Sequence, residues 1–453
     1  MTTMSRRWTG HCARVGVVAL CLWSSVQSAE AQTTLTLEQA VQRSLQTSAR
    51  LREADARLAA ADAAVAGRDA ADRPVVGATA GYVRTNHVDE FGIRQADGST
   101  RVIFPDVPDN LRLRLESSWA VWTGGRTRAA LEGAKADRDA VRADREALAA
   151  DVALEAATAY WQVWTARESV TVLDGALART EAWLGDVRAR VAAGVTAPHE
   201  VAQAQAVRAR QVVQRLQARQ AADLAERELR RVMGDTTLTP LTLTTPVTMA
   251  AGDLAAFTVE RADQLVADAV AARAESRAFG ARASAFASAA DAAMAALRPA
   301  VGLMASIEPS RPNARFVPRT AQWHTSWDVG VSLTWTVFDG GRARSERALA
   351  RAQRDAIEAR RADFEARLAV EVHHRVRDLV TTREAAQAAG EAVTAAEEVV
   401  RVMRARSEAG VATATEVLDA QVALLEAALE QTRLHAAARL AEARLRRVVG
   451  ARP

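Results

Sequence analysis

The chain has almost no sulfur chemistry to offer. Its two cysteines, Cys12 and Cys21, both fall in the first 31 residues, a segment that reads as a secretory signal. Arg6 and Arg7 precede a short apolar run from Val15 to Trp23, and Ala29, Glu30 and Ala31 supply the small-x-small pattern that signal peptidase needs. An apolar run of about nine residues is too short to span a bilayer, and the bulk of Leu20 argues against lipidation at Cys21. Cleavage after residue 31 leaves a mature chain without cysteine, which excludes disulfides, thiolate chemistry and cysteine metal sites.

Aromatic residues are also scarce, at 4% of the chain, and the net charge is only +4, with acidic and basic residues mixed along every stretch. A nucleic-acid surface needs a basic block or an aromatic platform, and neither is present. There is no Ser-His-Asp order, no phosphate-cradling glycine loop and no metal-spaced Asp/Glu/His motif, so no enzyme activity, metal or cofactor is expected. His373 and His374 are adjacent and point in different directions on a helix, so they read as surface or packing residues.

What the chain does have is helical composition and repetition. Apolar residues make up 49%, and the commonest residues are Ala, Arg, Glu, Leu and Val, the composition of long packed helices. Gly194 and Gly410 lie 216 positions apart, as do Gly124-Gly125-Arg126 and Gly340-Gly341-Arg342. Roughly a third of the positions between are identical on that register, a duplicated supersecondary block rather than a short-period solenoid. The first repeat is expected over 32–250 and the second over 251–453.

In each repeat a helix comes first. One is expected over 36–72, capped by Thr36 with Glu38 in its first turn and stopped by Arg73-Pro74; the other, over about 258–297, is stopped by Arg298-Pro299. Strand patterns follow, with hairpins at about 75–122 and 300–338. Leu111, Leu113, Leu115, Trp119 and Val121 share one face, and Arg112, Arg114, Glu116 and Ser118 the other. In the second hairpin Val301, Leu303, Ala305 and Ile307 alternate; Val329, Val331, Leu333, Trp335 and Val337 then oppose Asp328, Ser332, Thr334 and Thr336. Strands of about ten residues match a tilted transmembrane β-strand. Trp119, Trp122, Trp327 and Trp335 sit near strand ends, where an interfacial girdle belongs. The two hairpins have no evident sheet partner within one chain. A membrane sheet must have no free edge, so several chains must contribute strands to one barrel.

After each Gly-Gly-Arg a helical pattern runs over 126–193 and 342–409, rods on the order of 100 Å long. Each turns back at a tip, 194–200 or 410–416, into a helix about half as long, 197–234 or 413–450. The returning helices must stop midway, where the helices 36–72 and 258–297 continue the line. The Thr/Pro-rich segment 235–246 is expected to cross as a belt outside the helices.

These features together resemble the TolC-like outer-membrane factor family of efflux and secretion proteins. The resemblance covers essentially the whole mature chain. It rests on Leu-Thr-Leu-Glu-Gln-Ala at 35–40, a strand hairpin after Arg-Pro in each half, the aromatic-x-Gly-Gly-Arg returns at Trp122 and Phe338, and tips of the form Gly-x-x-x-x-x-Glu-Val. It implies a mainly α protein with a small β part: a homotrimer whose twelve strands form one outer-membrane β-barrel, continued by a long periplasmic α-helical barrel. It also implies a passive exit channel of a tripartite efflux or type I secretion system, docked onto a periplasmic adaptor (membrane fusion protein) and an inner-membrane transporter. A periplasmic coiled-coil scaffold or adaptor without a pore is the alternative; the signal segment and the lipid-like strands disfavour it.

The same resemblance implies a pore constriction at the tips. Glu416 and Asp419 match a family pair of carboxylates facing the pore, and spacing of three puts them on one helical face. Thr413-x-x-Glu416 is also a capping box, and the two roles are compatible. On the first tip Glu200 matches the acidic position and Gln203 stands where Asp419 does. Gly194, Val195, Gly410 and Val411 match the apolar motif of adaptor contact, although such glycines also serve as helix C-caps. The family's best-known tip lock uses a Tyr and an Arg on the second tip, where this chain has Ser407 and Ala412. Arg190 and Arg406 are the candidate substitutes.

Overall fold

The computed structural model of the protein describes residues 33–237, 239–248 and 257–451, so the expected signal segment lies outside the described residues. In chain order, the first repeat contains β1 (Thr33–Leu35), α1 (Leu37–Thr47), α2 (Ala49–Asp69), β2 (Val75–Arg84), β3 (Phe91–Arg94), β4 (Thr100–Phe104), β5 (Asp109–Trp122), α3 (Arg126–Ala192) and α4 (His199–Met233). Then come β6 (Leu241–Leu243), α5 (Ala262–Ala272), α6 (Ala274–Ala295), β7 (Ala300–Arg311), β8 (His324–Thr334), α7 (Arg342–Glu408) and α8 (Ala414–Val448). The long helices have 67 residues each and the returning ones 35 each, every end lying within two residues of its expected position.

Thr36 starts the first helix as predicted. Its hydroxyl accepts from Gln39 N at 3.2 Å, and the Gln39 side chain accepts from Thr36 N at 3.0 Å, a reciprocal cap that satisfies two orphan donors. The helix expected over 36–72 is nevertheless broken, because Ser48 takes ψ 120 between α1 and α2. The helix expected over 258–297 is broken in the same way at Arg273, ψ 126. Ser48 and Arg273 lie 225 positions apart, as do Pro74 and Pro299, so the breaks are equivalent. The cause is tertiary: each break sits where a returning helix ends. Thr47 Oγ1 donates to Met233 O at 2.8 Å, and Arg273 Nη1 donates to Arg447 O at 3.2 Å, so each break helps to satisfy carbonyls left over at a helix C-terminus. Gly234 allows the approach, since a Cβ there would stand 2.7 Å from Thr47 Cβ. Arg273 and Arg447 also pair with Glu275, at 2.8 and 2.7 Å. Burial alone would raise the Glu275 carboxyl, but hydrogen bonds from Arg447 and Arg273 hold it below its ordinary value.

Helix neighbours change at this level. Towards the tips the row runs α4, α3, α8, α7; towards the strands it runs α2, α3, α6, α7. As the sequence expects, α2 and α6 continue the lines that α4 and α8 leave.

The crossing segment is less peripheral than a belt. Its β6 pairs in parallel with β1, and Leu241 and Leu35 are buried in a cluster with Ala156, Tyr160, Trp161 and Leu229. Tyr160 Oη donates to Leu35 O at 3.1 Å and Arg167 Nη1 to Leu241 O at 2.6 Å. A strand of three residues has no periodicity to read, and its partner is over 200 positions away, so the sequence carries no signal for it.

The two hairpins form one antiparallel sheet, ordered β2, β5, β7, β8. This corrects the expectation that neither finds a partner within the chain: β5 pairs with β7. The register places Leu115 opposite Ala78 and Ile307, Leu303 opposite Val331, and Ala305 opposite Val329. Over its middle rows one face is therefore largely apolar across all four strands, with Ser117 the polar residue among them, and the other carries Arg112, Arg114, Glu116, Glu308, Asp328 and Ser332. The apolar face is bare: Val329 and Val331 are each 71% exposed. Strand β8 ends at Thr334, opposite the first residue of β7, rather than at Val337. Trp119 and Trp335, 216 positions apart, donate from Nε1 to Asp72 O and Leu297 O at 2.7 and 3.0 Å, tying each strand end to the preceding helix end. The loop between β2 and β5 holds the short hairpin β3–β4. Among the described residues no helix is long and apolar enough to cross a membrane.

Candidate functional site: the paired helix tips

Both long helices end on the same device. Gly194 and Gly410 take φ +75 and +72, and their N–H groups donate to Val191 O and Ser407 O. The next residues, Val195 and Val411, donate to Arg190 O and Arg406 O at 2.9 Å. This closes the helix C-terminus around a left-handed residue, a conformation that costs glycine little. Val195 and Val411 stand at the apex, 75% and 66% exposed.

The restarts differ. Thr413 Oγ1 accepts from Glu416 N, and Glu416 Oε2 accepts from Thr413 N at 2.7 Å and Thr413 Oγ1 at 3.0 Å. The capping box anticipated from the sequence is therefore formed. These hydrogen bonds, together with the charge of Arg406, hold the Glu416 carboxyl below its ordinary value. Asp419 lies one turn further on, exposed like Glu416. Between them Val417 and Leu418 are buried. At the first tip α4 starts after Pro198 with no side-chain cap. Glu200 is half-buried and one of its carboxylate oxygens has no partner. Gln203 is engaged instead, its Oε1 accepting from Thr415 Oγ1 at 2.6 Å.

The two hairpins are joined here. Trp183, Leu184 and Val187 of α3 and Ala204 of α4 pack with Ala414, Val417 and Leu418 of α8. Above this core, Arg190 Nη1 donates to both the carbonyl and the hydroxyl of Ser407 at 3.0 Å, while its guanidinium lies 5.4 Å from the centre of the Trp183 ring. Of the two candidate substitutes for the family's tip lock, Arg190 ties the hairpins, and Arg406 faces Glu416 instead. The structure thus joins Arg190, Ser407, Gln203 and Thr415 across the hairpins and leaves Glu416 and Asp419 facing solvent. Sequence reasoning missed Trp183 and Thr415; a tryptophan one helical heptad before Arg190 was the available signal.

Among the described residues no group of three or more His, Cys, Asp or Glu is placed to hold a metal ion. His373 lies 3.3 Å from the exposed Asp263.

No curated protein matches the chain significantly. Solved structures do match. The outer-membrane channel OprN is 22% identical over 91% of this chain and 89% of its own, with a TM-score of 0.73. The outer membrane protein VceC of Vibrio cholerae is 23% identical over 92% and 96%, TM-score 0.71. The open state of the MtrE outer membrane channel of Neisseria gonorrhoeae is 17% identical over 92% and 89%, TM-score 0.73. At these identities the likeness is one of fold. The family model described as outer membrane efflux protein matches residues 40–235 and 265–451, most of both repeats. The chain belongs to the outer membrane efflux protein family.

Proposed function

We propose that three copies of the chain close one twelve-stranded barrel in the outer membrane and continue it as a helical tunnel into the periplasm. The single observation that carries this reading is the four-stranded sheet, whose edge strands β2 and β8 are unpaired on their outer sides and one of whose faces is mostly apolar, with charges such as Arg84, Asp109 and Arg311 only at the end away from the helices. In lipid every backbone donor and acceptor must be paired, so such a sheet is complete only when its edges meet those of other copies. Family membership and the fold of the solved channels support the same reading. A stable monomer on mass measurement in mild detergent would reject it.

The conduit works passively as the exit of a tripartite efflux or type I secretion system, and a partner inner-membrane transporter supplies the energy. A periplasmic adaptor docks at the apex, against Gly194, Val195, Gly410 and Val411. Glu416 and Asp419, with Glu200 and Gln203 beside them, line the constriction. Threefold symmetry turns the two exposed carboxylates into stacked acidic rings that favour cations. The Arg190–Ser407 and Thr415–Gln203 contacts hold the tips together. Glu416→Gln with Asp419→Asn should lower cation preference and weaken block by multivalent cations in single-channel recordings. Because Gln still serves the capping box, unchanged selectivity in that double variant would reject the acidic rings and leave the conduit standing.

A further inference from the structure

The 12-residue connection from β7 to β8, residues 312–323, does not project away from the sheet. Its Asn313 is 3% exposed and donates to His324 O at 2.9 Å and to Ser326 Oγ at 3.1 Å. Its Arg315 donates from Nη1 to Trp327 O at 2.8 Å and pairs through Nη2 with Asp328 at 3.0 Å. Asp328 in turn accepts from Ser306 Oγ at 2.9 Å. Ser306, Ser326 and Asp328 all belong to the polar face of the sheet by register, opposite Trp327 and Val329. The connection is therefore folded over the polar face. Its far side is latched to the other hairpin's loop: Arg319 N donates to Ile103 O at 3.2 Å, and the Arg319 guanidinium lies 5.4 Å from the centre of the Phe104 ring.

We propose that residues 312–323 form an outer lid on the barrel mouth, held shut over the polar face by the Arg315–Asp328 pair and latched to the β3–β4 hairpin through Arg319. The proposal rests on the barrel reading, in which the polar face lines the pore. Loop closure alone does not account for these contacts, since a solvated hairpin end would leave Arg315 free to extend into water. Three copies would bring three such lids round one mouth and narrow it at the end opposite the tips. The pair is exposed and weak by itself, as suits a lid that must yield to cargo arriving from below.

The test uses the full-length protein in intact cells, with a cysteine at Ser332, on the polar face below the lid, or at Val331, on the apolar face. The chain's own cysteines, Cys12 and Cys21, lie in the segment read as the signal. Thiol reagents of graded bulk are added from outside. The Ser332→Cys protein should react with a small methanethiosulfonate but slowly with a bulky one, and Arg315→Ala should speed the bulky reaction several-fold while leaving the small one unchanged. Exchanging the pair, Arg315→Asp with Asp328→Arg, should restore the slow rate, which a merely misfolded barrel would not do. Equal rates of bulky labelling with and without Arg315 overturn the lid and leave the barrel intact. Equal reactivity of the cysteines at 331 and 332 towards hydrophilic reagents overturns the barrel reading itself, and the lid with it.

Discussion

The sheet and the tips, at opposite ends of the same long helices, are built on opposite terms. The sheet satisfies itself within one chain only partly: two edges stay open and its apolar face meets nothing, with Val329, Val331 and Leu333 about two-thirds or more exposed. The tips close upon themselves, with Val187, Val417 and Leu418 buried and side chains bonded across the hairpins. One end therefore owes its stability to its surroundings and the other to its own packing. Substitutions at the two ends should be read by different measurements.

The largest effect is expected in the sheet. In the proposed barrel, Val331→Arg or Leu333→Arg places a charge on the lipid face at a cost of about 2–4 kcal/mol per chain, repeated in every copy. The amount of assembled protein in outer-membrane fractions should fall sharply, whereas Ser332→Arg, on the polar face, should be far milder. Equal damage from the two would erase the distinction between the faces. Next comes the tip core, where Val417→Ala removes two methyl groups from a fully buried site for about 2 kcal/mol. Membrane assembly should be normal, and hydrogen exchange at the start of α8 should quicken; a loss of assembly instead would mean that the tips are not independent of the sheet.

Smaller still is the cap, which separates one tip from the other. Thr413→Ala should loosen the start of α8 by about 1 kcal/mol, while α4, which has no side-chain cap, offers no equivalent to remove. The smallest effect is that of pH. Because the folded value of Glu416 is lowered, its share of the cap is fully present above the ordinary carboxylate value and is lost as pH falls through the lowered one. Protection from exchange, relative to the intrinsic rate at each pH, should fall in acid at the start of α8 and should not change on this account at the start of α4. A matching acid response at both starts would show that the cap is not its source.

Much of this was legible in the residues. Alternation at Leu111 to Trp119 and Val329 to Leu333 gave the two faces, because in a strand parity alone assigns the side. The glycines at 194 and 410 gave the tips, because a left-handed residue leaves few alternatives. Illegible were the features decided by distant partners. Ser48 caps α2 by accepting from Leu51 N, but a lone serine inside a helical pattern is a weak signal, and Arg273 announces no break until Arg447 ends beside it. Strand β8 stops at Thr334 because β7 begins opposite it, although Trp335 and Val337 keep the alternation. The role of Arg190 depended on Ser407, a residue 217 positions away. Side-chain identity told which residues were able to bond; only the packing of α3 against α8, which brings the end of α7 within reach of Arg190, told which did.

The breaks at Ser48 and Arg273 amount to a lap joint. Two of the chain's four helix lines are spliced from two helices, α4 with α2 and α8 with α6, and the splices are fastened by Thr47 and by Arg273. Away from the joint, a cut on either side therefore meets four helices of the chain, although half of its lines are interrupted; at the joint α1 and α5 pack beside them. Among the described helices, α3 and α7 alone run through the joint. The tips and the sheet are thus joined by unbroken helix along two spars, and along the other two lines only through the side chains that fasten the splice.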